Sequence, residues 1–364
     1  MPKGRLFVVD SESLEMTIKT NVVSIKTPEP TGKQWLKTVA DIMADMLQIE
    51  IGDYIFLWKT GSNYQKSRIY GVYRAISEPY YKMNTANDLF PFKIKIEQAY
   101  IFNNPLVEYD LLNCPYIKTT MWTVLGKKVA GKSRGTSPLS PDEVGKIITL
   151  LIGRNPEYKF IEPSEERVVK VEEPLRIDYS NIGSNRQPES LIELYPNRLN
   201  FFKSNYEIYY EKILETVFNQ ELTRKNDKLF KQIGVNVEKI IWYSNYLPYS
   251  IEQSEMDYLM IESEDGYNPS HYYLLEFMKN KIDESHIRRC LMYSKWIDNT
   301  LALGEKITTP IIICQKCPDF NSANKKVKEL NDIISEYEHE YNTKELKVYI
   351  YSFSADGPQF VLKR

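Results

Sequence analysis

Apolar and polar positions change period several times along the chain, and each change marks an element. Leu6-Phe7-Val8-Val9 is a short apolar run that reads as a first strand. From Trp35 to Leu47 the apolar residues Leu36, Val39, Ile42, Met43 and Met46 recur at helical spacing. The turn Ile51-Gly52-Asp53 feeds Tyr54-Ile55-Phe56-Leu57-Trp58. Turn chemistry in Lys59-Thr60-Gly61-Ser62-Asn63 then leads to Ile69-Tyr70-Gly71-Val72-Tyr73, so residues 1–125 read mainly as strands. Ser140-Pro141-Asp142-Glu143 is a helix start: Ser140 caps, proline suits the first helical position, and Glu143 closes a capping box. Val144, Ile147, Ile148 and Leu151 form its apolar face, and Asn155-Pro156 ends it.

Between 160 and 200 the character changes. EPSEERVVKVEEP is charged and SNIGSNRQPES is polar with Gly and Pro, which marks a boundary region. Beyond it a helix is predicted over Tyr206–Gln220. Strands follow at Ile240-Ile241-Trp242, Tyr258–Ile261 and Tyr272–Phe277, then a helix over Glu284–Asn299 and a strand at Pro310–Cys314. A helix at Ala323–Tyr341 and a strand at Leu346–Phe353 complete a mixed α/β layer pattern. The expected division is 1–158, a boundary at 159–200, and 201–364.

A chain of 364 residues, 42% apolar and 26% charged, is comfortable for two soluble domains. No run approaches the ~20 apolar residues of a membrane span. The N-terminus MPKGRLFVVD lacks the pattern of a signal peptide, so a cytoplasmic protein is expected. Four cysteines and three histidines leave little material for zinc. The single Cys314-Gln-Lys-Cys317 is read as two buried or semi-buried thiols. Net charge is −2, but residues 1–155 hold 20 Lys and Arg against 15 Asp and Glu, while the remainder holds 27 against 34. A basic first part joined to an acidic second part suits a reader of phosphates attached to a carboxylate-rich site.

The carboxylates supply that site. Asp257 precedes one strand and Glu276 ends the next, and Asp265-Gly266 and Asn268-Pro269 between them predict a hairpin. Neighbouring antiparallel strands bring two carboxylates within reach of one Mg²⁺ or Mn²⁺, which prefer hard oxygen ligands. The order of helix Glu, strand Asp, strand Glu and then a helix with a basic residue and Tyr resembles the PD-(D/E)XK nuclease superfamily. The resemblance is to its RecB-like branch, with the archaeal mismatch and single-strand endonucleases, over roughly residues 205–318. It implies a restriction-endonuclease-like mixed sheet flanked by helices, with Asp257 and Glu276 as metal ligands and Glu211 in support, Glu207 competing for that place. Arg289 and Tyr293, in IRRCLMYSKWI, stand where the branch carries Gln and Tyr. The motif's lysine position, two after Glu276, is Met278. Lys279 serves only if a bulge shifts the register, and Lys295 is a further positive charge.

The first 155 residues resemble the EVE branch of the PUA-like superfamily, related to the YTH readers. The residues that carry this are Gly52-Asp53-Tyr-Ile-Phe-Leu-Trp58-Lys-Thr60, Ile69 through Pro79-Tyr80, and the helix after Arg134-Gly-Thr-Ser-Pro-Leu-Ser140. The resemblance implies an α+β, PUA-like β-barrel with helices that accepts a flipped, modified base. Trp35, Trp58 and Trp122, backed by Tyr80, are the expected pocket walls, and Lys127, Lys128, Lys132 and Arg134 the expected phosphate contacts. Together the two resemblances imply a modification-dependent DNA endonuclease of restriction type, a hydrolase using magnesium, and they admit a homodimer. The alternatives are a non-catalytic nucleic-acid-binding protein on a degenerate nuclease fold and an RNA-directed protein.

Overall fold

The computed structural model describes residues 3–27, 32–63, 65–82, 89–122, 124, 135–177, 207–249, 254–354 and 357–364. These residues part into two units, with the break after Arg176. Each is α+β and holds a mixed sheet.

The first unit opens with β1 (Gly4–Val9), α1 (Ser11–Thr20), β2 (Val22–Ile25) and α2 (Gly32–Met46). The periodic stretch over 35–47 is thus the body of α2. α1 is an addition to the sequence reading: Asp10 caps it and exchanges hydrogen bonds with Ser13 in a capping box. β3 (Tyr54–Lys59), β4 (Arg68–Ala75), β5 (Tyr80–Tyr81), β6 (Phe92–Ile101) and β7 (Leu106–Val107) follow. α3 (Glu108–Asn113), β8 (Thr136–Leu139), α4 (Pro141–Arg154) and β9 (Lys159–Phe160) complete the unit. The main strand order is β2-β6-β4-β3-β1-β8, with β1 parallel to β3 and the other pairs antiparallel. α4 begins as its sequence predicts, with Ser140 and Glu143 bonding reciprocally to each other's backbone. Its Val144, Ile147 and Leu151 pack on Leu6, Phe56, Trp58, Ile69 and Val72.

The second unit contains α5 (Lys212–Thr223), α6 (Asp227–Lys231), β10 (Ile240–Tyr249), β11 (Ser254–Glu262) and β12 (His271–Lys281). α7 (Glu284–Thr300), β13 (Thr308–Lys316), α8 (Lys325–Tyr341), β14 (Lys347–Ser354) and β15 (Gly357–Leu362) follow. The strand order is β10 to β15 in sequence. β10, β11 and β12 form an antiparallel meander, whereas β12, β13 and β14 run parallel with α7 and α8 as crossovers. β15, which the sequence reading did not include, returns antiparallel along β14. Leu259, Leu274 and Met278 on one sheet face pack with Ile287, Cys290 and Leu291 of α7 and Ile334 of α8. Tyr258 and Phe277 meet Phe218 of α5, with ring centroids 6.0 and 5.0 Å apart. Glycine is needed at the β11–β12 turn, where Gly266 has φ +78° and the Asp265 carboxylate accepts from the amides of Tyr267 and Asn268 at 2.8 Å.

Candidate functional site

That turn fixes the register of the hairpin, pairing Tyr258 with Leu275 and so bringing Asp257 beside Glu276. The Asp257 amide donates to Glu276 Oε1 at 3.2 Å, and the Phe277 amide donates to Asp257 Oδ2 at 2.9 Å. Each carboxylate is therefore held by backbone at or beside the other. Glu276 is 0% exposed. Its ordinary acidity is suppressed by burial first and by the charge of Asp257 second, so its proton affinity lies well above the usual carboxylate range. Arg289 from α7 opposes this: Nε and Nη2 both reach Glu276 Oε2, at 2.9 and 2.8 Å.

Asp257 is the hub of a wider cluster. Burial raises its pKa, and among the charges that pull it back Lys212 acts more strongly than Arg289. Glu211, the N-cap position of α5, is raised by burial and then by Asp257. Glu215, one turn further on, is pushed up to about 8, chiefly by burial, with Asp257 contributing and Lys212 opposing. Glu215 pairs with Lys212 and accepts from Asn245 Nδ2 of β10 at 3.0 Å. Four carboxyl groups and two cations thus act on one another around the β11–β12 hairpin and the first turn of α5.

At the displaced lysine the strand divides its roles. Met278 is 3% exposed and belongs to the core under α7 and α8. After it the register slips: Met278 pairs with Cys314 but Lys281 with Lys316, so β12 carries one extra residue there. Within this bulge the Lys279 amide donates to Glu211 Oε2 at 3.0 Å and its ammonium donates to the Tyr209 carbonyl at 2.7 Å. Lys279 therefore anchors the chain entering α5. This contact also explains why α5 starts at Lys212 rather than near 206: Tyr209 gives its carbonyl to Lys279 instead of to a helical amide. Glu211 correspondingly stands at the N-cap position, where its side chain makes no capping hydrogen bond and accepts from the Lys279 amide instead. Tyr293, one turn after Arg289, is a buried core residue.

Sequence reasoning missed Lys212, Glu215 and Asn245. The i, i+3 spacing of Lys212 and Glu215 is visible in the chain, but nothing before the tertiary structure aims that pair at Asp257.

The nucleic-acid-binding residues expected in the first unit have different surroundings. Trp58 is 3% exposed in the core, and its indole N–H donates to Glu108 Oε2 at 3.2 Å. Tyr80 is buried in β5, paired with Lys93, and forms a bridge to Pro174. Trp122 is half-buried. Trp35 falls in α2, but its side chain lies outside the described residues, as do Lys127, Lys128, Lys132 and Arg134.

Among the described residues, no three His, Cys, Asp or Glu side chains form a ready-made metal-holding group. The Asp257–Glu276 pair nonetheless fits a hard divalent cation in kind. Both donors are oxygens, Mg²⁺ commonly takes only one or two carboxylates and keeps several waters, and a cation would relieve the cost of burial that raises both groups and the Asp257 charge that further raises Glu276. No helix among the described residues is long and apolar enough to cross a membrane.

No family model and no curated protein matches the chain. Solved structures similar to it include the Mmi1 YTH domain in complex with RNA, at 11% identity and TM-score 0.28, covering 43% of this chain and 83% of that one. Protein Atu2648 from Agrobacterium tumefaciens is 14% identical with TM-score 0.28, covering 44% and 99%. The YTH domain of Zygosaccharomyces rouxii MRB1 with N6-methyladenosine RNA is 13% identical with TM-score 0.26, covering 41% and 86%. At such scores the likeness decides neither fold nor function.

Proposed function

We propose that this protein is a divalent-metal-dependent DNA endonuclease whose second unit hydrolyses a phosphodiester while its first unit docks a modified base. The observation that carries the hydrolytic half is the opposed Asp257–Glu276 pair, with Glu211, Glu215, Lys212 and Arg289 in its field. The base-docking half rests on the sequence resemblance alone. Asp257 and Glu276 would hold Mg²⁺ or Mn²⁺, which when bound activates water and steadies charge on the phosphate. Arg289 keeps Glu276 oriented and favours its ionised form. Lys279 fixes the entry to α5 and hence the position of Glu211. The reaction consumes one water and breaks one P–O bond, leaving a phosphomonoester and a hydroxyl.

The test is incubation of the purified chain with modified duplexes, unmodified duplexes and RNA, each with Mg²⁺, Mn²⁺ or Ca²⁺. Cleavage of a modified duplex with Mg²⁺ or Mn²⁺, lost in Asp257→Ala, is the expected result. Cleavage confined to RNA would redirect the reading to an RNA-directed enzyme. The burial of Met278 at the lysine position favours a second reading, a binder without catalysis. Tight binding with no cleavage under any metal would select it.

A further inference from the structure

The parallel strands β12, β13 and β14 begin together at one end of the second unit's sheet. His271 opens β12 there, roughly 17 Å before Glu276 at the rise of a strand. Its ring meets that of Tyr273 at 4.6 Å, and Tyr273 in turn donates to Glu262 Oε2 at 2.7 Å. Towards β13, His271 Nε2 lies 2.8 Å from Thr309 Oγ1. On the other side of the ring, Lys344 Nζ lies 3.4 Å from Nδ1. Lys347, the first residue of β14, pairs with Ile311, so by strand alternation it shares a sheet face with Thr309. Its ammonium lies over Gly234, 3.8 Å from where a β-carbon would stand. Thr309 is 8% exposed, whereas His271, Lys344 and Lys347 are half-buried.

An ammonium only donates, so His271 Nδ1 accepts from Lys344 and the neutral ring carries its hydrogen on Nε2. That N–H donates to Thr309 Oγ1, which leaves the threonine's own hydrogen to be given outward. Among the described residues no carboxylate lies within ion-pair distance of Lys344 or Lys347. Glu262 is engaged by Tyr273, and Asp298 holds the amides of Ile307 and Thr308 with Oδ1. Two ammonium groups and a hydroxyl thus offer donors without a counter-charge, which suits an acceptor-only oxyanion and excludes a cation.

We infer that Lys344, Lys347 and Thr309 form a phosphate-binding site at this end of the sheet, with His271 as the positioning residue that aims the Thr309 hydroxyl. The phosphate is free or carried on nucleic acid, since the two share this chemistry. The site is separate from Asp257 and Glu276 and does not rest on the hydrolytic reading. Its charges agree with the geometry. Burial first, then Lys344 and Lys347, push the His271 imidazole down to about 4. Burial lowers Lys344, with Asp298 opposing and Lys306 and Lys347 adding repulsion. An anion among these groups relieves that repulsion.

The experiment follows the imidazole nitrogens of the full-length chain by ¹⁵N NMR, where only three histidines report. Sodium phosphate is added at neutral pH, against sodium chloride at equal ionic strength. Without phosphate, His271 is expected as the neutral ring with its hydrogen on Nε2. Phosphate should move the His271 signals saturably and chloride should not, while His286 and His339 stay in place. Bound phosphate should also raise the midpoint of His271 protonation by about 1 pH unit, because an anion favours the imidazolium. Lys344→Ala and Lys347→Ala should each weaken phosphate binding about tenfold, as for loss of one charge-assisted hydrogen bond. Thr309→Val should weaken it severalfold and shift His271 Nε2 even without phosphate. Lys344→Gln or Lys347→Gln replaces any alanine variant in which the His286 and His339 signals are lost. A short single-stranded DNA that moves the same signals at lower concentration than phosphate identifies a nucleic-acid backbone as the source. Signals moved by phosphate alone identify a free phosphate. Signals that follow chloride as closely as phosphate, signals that neither phosphate nor DNA moves, or lysine variants that bind phosphate like the wild type would overturn the inference.

Discussion

Glu215 and Arg289 show how single side chains set the energetics of the site. A carboxyl pushed from 4.5 up to about 8 by burial keeps its proton in the folded chain where the unfolded chain has released it. Its contribution to stability is therefore complete below about pH 4.5 and is lost as pH rises through about 8. At about 1.4 kcal/mol for each tenfold difference in proton affinity, the loss is on the order of 5 kcal/mol. Glu215→Gln should flatten this part of the profile, so that urea midpoints of mutant and wild type diverge from pH 5 to 9 in the mutant's favour. Parallel profiles would show that Glu215 has an ordinary acidity. Arg289→Ala would instead leave the Glu276 carboxylate buried beside Asp257 without its closest counter-charge. Removing one partner of a wholly buried pair costs about 3–5 kcal/mol. The guanidinium here is 41% exposed, so about 2 kcal/mol is expected, with Glu276→Gln in the same chain restoring most of it. Of these residues, Asp257 and Glu276 were legible because strand spacing and an Asp-Gly turn place them. Lys212 and Glu215 were not, because such i, i+3 pairs decorate most helices and only packing singles one out.

Elements were readable where local chemistry is self-sufficient and unreadable where distant contacts decide. α4 begins at its capping box because Ser140 and Glu143 satisfy each other within one turn. Ser140→Ala should cost about 1 kcal/mol, seen as a lower melting temperature. The start of α5 depends instead on Lys279, 70 residues beyond Tyr209, and the helical period over 206–211 carried no trace of it. β15 escaped notice because GPQFVL is short and contains proline, which an edge strand tolerates and a central one does not. The bulge after Met278 is likewise a tertiary event, made where β12 slips against β13. It gives the displaced lysine a definite meaning. Restoring the motif by Met278→Lys would drive an ammonium into the core among Ile287 and Cys290. The expected result is a loss of about 3 kcal/mol or more, with no gain in cleavage. A variant that cut faster at unchanged stability would show that position 278 opens onto the site.

For the whole molecule, the hydrolytic site proposed above should trade stability for activity, and Asp257 is where the exchange can be measured. Burial first, and the charge of Asp257 after it, raise the proton affinity of Glu276, Glu211 and Glu215 together, so the fold holds several carboxyl groups that resist ionisation where they stand. Asp257→Asn keeps the size of the side chain and an oxygen to accept from the Phe277 amide, while removing that charge. If the cluster were merely structural, losing a member that its cations favour would destabilise the fold. If it is an assembled site whose repulsion awaits a divalent cation, the same change relieves strain. The melting temperature of the metal-free protein should then rise, by an amount equivalent to about 1–2 kcal/mol, while cleavage is lost and duplex binding stays within about twofold. Added Mg²⁺ should stabilise the wild type by mass action and the variant far less, because the cation's gain comes from the charge that the variant lacks. Calorimetry of both proteins with and without Mg²⁺ gives four melting temperatures whose order decides the matter. A variant that melts lower than wild type in the metal-free state, and responds equally to Mg²⁺, would mark the carboxylate cluster as scaffold.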